Sequence, residues 1–310
     1  MKSSQCEDFF VIMIFPPFLN DGDKIAIVSP SGRVDIDIIN QAAEFYKNKG
    51  LVPVIGKFAT SEFGYFAGDD SQRLEDLQWA LDSDEIKAVI LARGGYGMTR
   101  ILDHVDFRKL KTSPKWICGF SDHTALLNKL VNLDIACVHT TVPTLYHKDF
   151  CSANSIFQIL KRGTGNIYAN ACFYNRIGIS QGKLVGGNLT LLANNIGTSS
   201  DFEPKGAILL IEELNEHLYH IDRMFVQLKR AGKFNQLKGM IIGHMTNMMD
   251  GKVPFGYSVE EIVREHTKEY GFPIGFNFPI GHQEPNIAVV MGQEYVLEVN
   301  DEMSKLGAIK

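Results

Sequence analysis

The sequence predicts an α/β protein of two domains: an amino-terminal β/α domain with a mainly parallel sheet, and a smaller carboxyl-terminal α/β domain. The first half alternates short apolar runs with segments of helical periodicity, beginning with a strand–helix–strand unit over 23–55. Such a unit joins parallel strands, and loops at the carboxyl ends of parallel strands are open for chemistry. The length of 310 residues is typical of two domains or of one large domain.

The elements of the first half are predicted from apolar spacing and from the residues that end each run. Gly50 ends the first helix, and a buried run over 88–92 leads directly into the loop Arg93-Gly94-Gly95-Tyr96-Gly97. The predicted strands are 23–32, 51–55, 88–92, 115–118 and 135–139; the predicted helices are 35–49, 69–81 and one that carries the apolar residues of 125–131.

Periodicity weakens between about 150 and 180, where small, polar and basic residues interrupt the apolar pattern. We therefore predict an extension over 1–12, a first domain over 13–150, a linker over 151–180 and a second domain over 181–310. In the second domain, strands are predicted over 207–211, 240–244, 276–282 and 288–299, and helices over 189–196, 221–228 and 258–270.

Charge and cysteine content restrict the classes of function. A net charge of −5 without basic clusters argues against nucleic acid as a main partner. The five cysteines form no CxxC or Cys/His metal spacing, and their odd number fits a reducing compartment. These observations predict a cytoplasmic protein.

The apolar stretch 9–15 is the only membrane-like feature of the amino terminus. It is too short to span a bilayer, Pro16 and Pro17 close it, and no small-residue cleavage site follows. No membrane partner is therefore expected. An alternative origin of the stretch is that Met13 is the natural start and 1–12 an upstream extension.

Ser121 lies in the short connection Gly119-Phe120-Ser121-Asp122 between a predicted strand and a predicted helix. A turn this sharp lifts a serine out of the sheet and places helix amides beside it, which is how a hydroxyl is presented as a nucleophile. The alternative is that Ser121 or Asp122 caps the helix, which is the commoner role for these residues.

The glycines of the 93–97 loop would let backbone N–H groups approach a ligand or an oxyanion closely. The loop has neither the spacing nor the lysine of a Walker A motif, and it lacks the GxGxxG pattern. A tight turn is the alternative.

Four histidines are candidate bases: His123, His139, His244 and His282. His123 is only two residues from Ser121, an offset at which helical side chains diverge. The other three end apolar strands and each has a structural alternative, but a polar loop, Gln283-Glu284-Pro285-Asn286, follows His282.

Glu212 and Glu213 follow the apolar run 208–211, so we expect one of them to point inward and pair with a group such as an imidazole. Solvated glutamates at a helix start are the alternative. The set His217, His220 and Asp222 is weak evidence for zinc, and no metal site is expected.

These separated motifs, in this order, resemble the LD-carboxypeptidase family of serine peptidases, which includes murein tetrapeptide carboxypeptidases and microcin-immunity peptidases. The resemblance covers nearly the whole chain from about Phe15. The family usually has Glu-Asp where this chain has Glu212-Glu213, and commonly Gly-Pro after the position of His139, where this chain continues Thr140-Thr141. The motifs that carry it are 22–32, 73–81, 93–97, 119–124, 186–188, 211–213, 221–223 and 281–282.

The resemblance implies a Ser-His-Glu triad in which Ser121 is the nucleophile, His282 the base and Glu212 the acid that orients it. The active site would lie in the cleft between the domains, because the nucleophile and the base come from different domains. The N–H groups of Asp122 and Gly95 would hold the oxyanion. Arg93, Gly94 and Tyr96 are the candidate substrate-binding residues.

The implied reaction is removal of the terminal D-alanine from an L,D-bond of cytoplasmic murein tetrapeptides during cell-wall recycling, by a homodimer without a cofactor. One alternative is a microcin-type hydrolase of aminoacyl-nucleotide linkages, which needs an aromatic platform such as Tyr168, Phe173 or Tyr174. The other is a non-catalytic protein that binds murein peptides. A complete triad disfavours the binding protein, since binding does not need all three residues.

Overall fold

The computed structural model describes residues 13–309, and the extension predicted over 1–12 lies outside them. It is a mixed α/β fold with two sheets, as the sequence predicts. The strands are β1 Lys24–Val28, β2 Val52–Ile55, β3 Ile86–Leu91, β4 Trp116–Gly119, β5 Cys137–His139, β6 Ile167–Asn170, β7 Gly178–Asn188, β8 Ala207–Leu214, β9 Gly239–Thr246, β10 Ile274–Gly275, β11 Val289–Met291, β12 Glu294–Val299 and β13 Met303–Ala308. The helices are α1 Ile36–Lys47, α2 Asp70–Asp82, α3 Met98–Ile101, α4 Thr124–Asn132, α5 Phe150–Arg162, α6 Leu189–Asn194, α7 Leu218–Arg230 and α8 Val259–Thr267.

The first sheet has the strand order β11-β5-β4-β3-β1-β2. Strands β1 to β5 are parallel to their neighbours, and only β11 is antiparallel. Both faces of this sheet are covered, which explains why strands such as β1 and β3 are nearly continuous apolar runs. The loops that follow β3, β4 and β5 therefore lie side by side at one edge, with the loop after β4 in the middle.

The second sheet has the order β10-β9-β8-β7-β12-β13-β6. Its strands β7 to β10 are parallel, whereas β12, β13 and β6 form an antiparallel extension. The carboxyl ends of β8 and β9 carry Glu212 and His244.

The two sheets share one apolar cluster, in which α4 lies between them. Leu126 and Leu130 of α4 are fully buried in the same cluster as Leu184 of β7 and Leu192 of α6. A second cluster lies on the opposite face of the first sheet, under α1 and α5.

The segment predicted as a linker over 151–180 is mostly regular structure. Helix α5 buries Ala153, Ile156 and Leu160, and β6 buries Ile167 and Ala169 on alternate positions. The spacing of these apolar residues is that of a helix and then a strand, but the intervening Ser, Asn, Lys and Arg residues obscured it.

Three larger differences from the sequence prediction lie in the second half of the chain. The chain over 276–282 is irregular, because the sheet in that region ends with the two-residue strand β10. Strand β8 extends through Glu212 and Glu213 to Leu214 instead of ending at Ile211. Strand β11, from the predicted second domain, joins the first sheet by pairing with β5.

The span 13–309 contains no helix that is both long enough and apolar enough to cross a bilayer.

Asn128 makes a polar connection between the two halves of the chain. Its Nδ2 donates to the Gly186 carbonyl at 3.0 Å, and the Gly186 N–H donates to its Oδ1 at 3.1 Å. The side chain is 1% exposed, so loss of the amide leaves two buried backbone groups without partners.

We expect Asn128→Ala to lower the free energy of unfolding by about 2–3 kcal/mol. Asn132→Ala on the same helix is the control, since Asn132 is solvent-exposed and its replacement should cost less than about 1 kcal/mol. Urea denaturation at constant m-value measures both. Equal losses would contradict the importance of the Asn128–Gly186 pair.

Candidate active site

Ser121 occupies a strained turn between β4 and α4. A 3₁₀ turn over Ser121–His123 connects the two elements, and Ser121 has a φ of 62°, which is costly for a residue with a side chain. Within the described chain, neither this turn nor α4 has a side-chain capping bond, so the helix-cap hypothesis is wrong. The turn instead directs the hydroxyl out of the sheet.

The Ser121 hydroxyl meets a histidine from the other half of the chain. Its Oγ lies 3.1 Å from Nε2 of His282, and Nδ1 of His282 lies 2.6 Å from Oε2 of Glu212. With Nδ1 protonated, the ring donates to Glu212 and accepts from Ser121. The structure therefore brings together the three residues that the resemblance singled out.

The close approach of His282 to Glu212 depends on Gly281. A Cβ at Gly281 would lie 2.9 Å from the Glu212 Cβ and 3.0 Å from its Oε2, and the φ of Gly281 is 125°. The Gly281 N–H donates to Oδ1 of Asn286 at 2.9 Å, which fixes the loop. Phe120 packs on the His282 ring with centroids 4.6 Å apart.

Glu212 and Glu213 are both buried, so the alternative of solvated glutamates at a helix start is wrong. The sequence predicts one inward-pointing glutamate, whereas the structure has two. Glu213 accepts from Nδ2 of Asn188 at 2.7 Å and from the Thr190 N–H at 2.7 Å. Burial, followed by the charge of Glu212, raises the pKa of Glu213. Glu213 therefore orders α6, whereas Glu212 faces His282.

Burial lowers the pKa of His282, but the charge and hydrogen bond of Glu212 outweigh burial and leave the pKa above its ordinary value. The other candidate bases differ. Burial lowers the pKa of His123 to about 3 and that of His139 to about 4. His244 has a lowered pKa, chiefly from burial, and its Nδ1 accepts from the Gln283 N–H at 3.1 Å.

The glycine loop after β3 packs against Ser121. A Cβ at Gly94 would lie 3.0 Å from the Ser121 Cβ and 3.5 Å from the Asp122 nitrogen, so a side chain here would require Ser121 or the loop to shift by a few tenths of an ångström. Gly95 and Tyr96 follow on the exposed side of the loop. Nη1 of Arg93 donates to the Arg33 carbonyl at 2.6 Å. The oxyanion role of Asp122 and Gly95 stays a prediction.

The Asp122 side chain has a role that the sequence did not indicate. Its Oδ2 accepts from the Ser31 hydroxyl at 2.6 Å and from the Met98 N–H at 2.8 Å. The carboxylate thereby connects the loops after β1 and β3 to the Ser121 turn. The sequence also did not indicate that Asn286 and Phe120 contact the Gly281–His282 segment, although Asn286 lies in the polar loop that follows His282.

His217, His220 and Asp222, the weak zinc candidates, do not form a common site, because two of them pair with other residues. His220 pairs with Glu216 at 2.6 Å, and Asp222 pairs with His266 at 2.7 Å. Over residues 13–309, no group of three or more His, Cys, Asp or Glu side chains could hold a metal ion.

The hydrogen-bonded serine, histidine and glutamate have the arrangement that is typical of serine peptidases. The LD-carboxypeptidase N-terminal domain model matches residues 25–140, and the LD-carboxypeptidase C-terminal domain model matches residues 181–297. The chain belongs to the LD-carboxypeptidase family and is a carboxypeptidase. This confirms the family indicated by the sequence motifs.

Individual relatives agree with the family. The chain is 30% identical over 303 residues to the probable murein peptide carboxypeptidase of Bacillus subtilis, with 94% of each protein covered. The muramoyltetrapeptide carboxypeptidase from Oxalobacter formigenes superimposes with a TM-score of 0.84 at 25% identity, covering 93% of this chain and 99% of that one. MccF in complex with glutamyl sulfamoyl guanosine has a TM-score of 0.82 at 20% identity over 96% and 99%, which shows the fold alone.

The φ of Ser121 predicts a stability difference between two substitutions that both remove the hydroxyl. We expect Ser121→Gly to be about 1 kcal/mol more stable than Ser121→Ala, because glycine adopts positive φ without strain. The same pair at Ser83, where φ is −67°, should show the opposite order, because alanine adopts this conformation without strain and glycine loses more conformational entropy on folding. Thermal or urea unfolding measures both pairs, and an Ala variant at 121 as stable as the Gly variant would contradict the strain.

The charge of Glu212 predicts a change in the titration of His282. Glu212→Gln removes the charge of Glu212 but keeps burial, which lowers the pKa of His282 more than the remaining charge of Glu213 raises it. The pKa of His282 should therefore fall from above to below its ordinary value of about 6.5. NMR titration of the imidazole measures this. His123 is the internal control: burial lowers its pKa to about 3 without any contribution from Glu212, so this pKa should be the same in both proteins.

Proposed function

We propose that the protein is a serine L,D-carboxypeptidase that removes the terminal D-alanine of murein tetrapeptides with Ser121, His282 and Glu212 as its catalytic triad. The observation that carries the proposal is the continuous hydrogen-bonded series from the Ser121 hydroxyl through His282 to the buried Glu212 carboxylate. A serine whose hydroxyl only satisfied the fold would not need a strained backbone to reach an imidazole.

The reaction follows from the protonation states. Neutral His282 takes the proton of Ser121 as Oγ attacks the amide carbonyl, and Glu212 stabilises the imidazolium that forms. The imidazolium then protonates the leaving amine, and a water repeats the sequence to release the peptide acid. Activity should therefore rise with pH through the raised pKa of His282, because only the neutral ring accepts the serine proton.

The N–H of Asp122 and an N–H of the Gly94–Gly95 loop are proposed to hold the oxyanion. The contact between Gly94 and Ser121 supports this placement. Each donor is expected to contribute about 3–4 kcal/mol to transition-state stabilisation.

The murein tetrapeptide is proposed as substrate because the names of the relatives in Bacillus subtilis and Oxalobacter formigenes contain murein peptide and muramoyltetrapeptide. We further propose that the enzyme acts in the cytoplasm in cell-wall recycling. Cys118, Cys137, Cys151 and Cys172 are free thiols, which fits a reducing compartment. The homodimer implied by the family resemblance stays a prediction.

The aminoacyl-nucleotide alternative is less supported by the described residues. Tyr168, Phe173 and Tyr174, the candidates for an aromatic platform, precede the backbone bridge of Arg176 to Ile274. Ile274 pairs with Met240 near the beginning of β9, whereas Glu212 lies near the end of β8. Within one copy of the chain, the candidate platform is thus at the opposite end of the parallel strands from the triad.

The test is release of D-alanine from L-Ala-D-Glu-mDAP-D-Ala. We expect Ser121→Ala and His282→Ala to lose at least about a thousandfold in kcat, because each removes a member of a unit that acts together. His104→Ala, at an exposed histidine, should retain wild-type activity.

Three results would contradict the proposal. An active Ser121→Ala variant that EDTA inhibits would exclude the serine mechanism. No release from the tetrapeptide, together with cleavage of an aminoacyl-sulfamoyl adenylate, would favour the microcin-type activity. Binding of the tetrapeptide without hydrolysis of either compound would favour the non-catalytic alternative.

A further inference from the structure

A cavity of about 290 Å³ lies directly beside His282. One wall comes from the segment after β5, with Thr141 and Lys148, and the other from the loop that begins at Gly281 and includes Asn286. The proposed reaction does not assign this space.

The position of the cavity corresponds to the leaving-group side of the reaction. The loops after β3, β4 and β5 lie side by side, with the Ser121 turn in the middle. The Gly94 loop, on the β3 side, is the proposed oxyanion side, whereas the cavity is on the β5 side and shares His282 as a wall. Because the imidazolium must protonate the leaving amine, the departing residue has to lie next to this ring.

Asn286 supplies a hydrogen-bond donor at this cavity. The side chain is 3% exposed, and its Oδ1 is occupied by the Gly281 N–H at 2.9 Å, which fixes the orientation of the amide. Its Nδ2 has no partner among the described residues. A buried amide donor of this kind is normally satisfied, so it indicates a ligand acceptor.

Lys148 supplies the positive charge. It is solvent-exposed and lines the cavity, and it is not among the lysines that form ion pairs with carboxylates of residues 13–309. The Asp149 carboxylate also lines the cavity, but its oxygens are bound by donors of the protein itself: it accepts from the Ser152 N–H at 2.9 Å and the Asn286 N–H at 3.1 Å. Glu284 also lines the cavity but is solvent-exposed, so its charge is screened.

We propose that this cavity is the subsite for the departing carboxyl-terminal residue, and that Lys148 and Nδ2 of Asn286 bind its free α-carboxylate. The inference rests on the proposed function. It identifies the residues that would recognise the free α-carboxylate, the group that a carboxypeptidase requires in its substrate. The carboxylate contact is thus assigned to Lys148 and not to Arg93 or Gly94, the candidate substrate-binding residues on the other side of Ser121. The Arg93 guanidinium already donates to the Arg33 carbonyl on the other side of Ser121.

The test compares L-Ala-D-Glu-mDAP-D-Ala with the same peptide ending in a D-alanine carboxamide, by release of D-alanine or D-alaninamide. The wild type should prefer the free acid. We expect Lys148→Met to raise KM for the free acid about ten- to a hundredfold, the range for losing a bond to a charged group, and to leave KM for the carboxamide unchanged. Lys111→Met, at another exposed lysine, is the matched control and should behave as wild type.

Asn286→Asp provides a second variant. It keeps the acceptor for the Gly281 N–H but replaces the free donor by a carboxylate oxygen, which repels the substrate carboxylate. We expect it to impair the free acid more than the carboxamide, whereas a merely structural role would impair both equally.

Two results would overturn the subsite while leaving the proposed function intact. One is a wild-type enzyme that hydrolyses acid and carboxamide with equal KM. The other is loss of the preference in Arg93→Met but not in Lys148→Met. Hydrolysis of neither peptide would overturn the proposed function itself, and the subsite with it.

Discussion

The contact between the Glu212 carboxylate and the His282 imidazole is the interaction on which the rest of the site depends. A fully buried carboxylate is costly unless it has hydrogen-bond donors, and among the described residues His282 Nδ1, at 2.6 Å from Oε2, is the donor that Glu212 has. The same contact fixes the ring so that Nε2 faces Ser121, and it keeps the pKa of His282 above its ordinary value. Gly281 is required because any larger residue would separate the two groups.

The nucleophile side of the site is held by a second buried carboxylate. Burial raises the pKa of Asp122, but its bonds to the Ser31 hydroxyl and the Met98 N–H oppose this shift and join three loops of the first sheet. The fully buried Arg73 adds bonds to the Pro30 and Gly97 carbonyls, at the ends of two of these loops. These buried hydrogen bonds hold the loops around Ser121 in place, and their stabilisation compensates the strain of the positive φ of Ser121.

The two halves of the chain must also stay in register with each other. Asn128 and Thr124 of α4 bond to Gly186 and Asn188 of β7, and the interface continues into the shared apolar cluster. A displacement of about 1 Å between the halves would break the Ser121–His282 hydrogen bond, since such bonds weaken steeply with distance. Packing of α4 between the sheets is therefore a condition for the site as well as for stability.

The sequence by itself determined the α/β class, most strands and helices of the first half, and the family. It also pointed to Ser121, Glu212 and His282, which the structure places in one hydrogen-bonded series. Apolar periodicity and turn residues are local signals, and a set of motifs can be recognised by its order along the chain without knowledge of tertiary contacts. It failed for α5 and β6, whose apolar spacing is diluted by polar residues, and for the irregular 276–282 segment.

Only the tertiary structure decided that Ser121 does not cap its helix, that both glutamates are buried, and that His123 is a neutral core residue. Each of these depends on groups distant in the chain: His282 is 161 residues from Ser121 and 70 from Glu212. Burial and pairing between such distant residues determine the protonation states and the orientations of the side chains. A local sequence pattern contains no information about either.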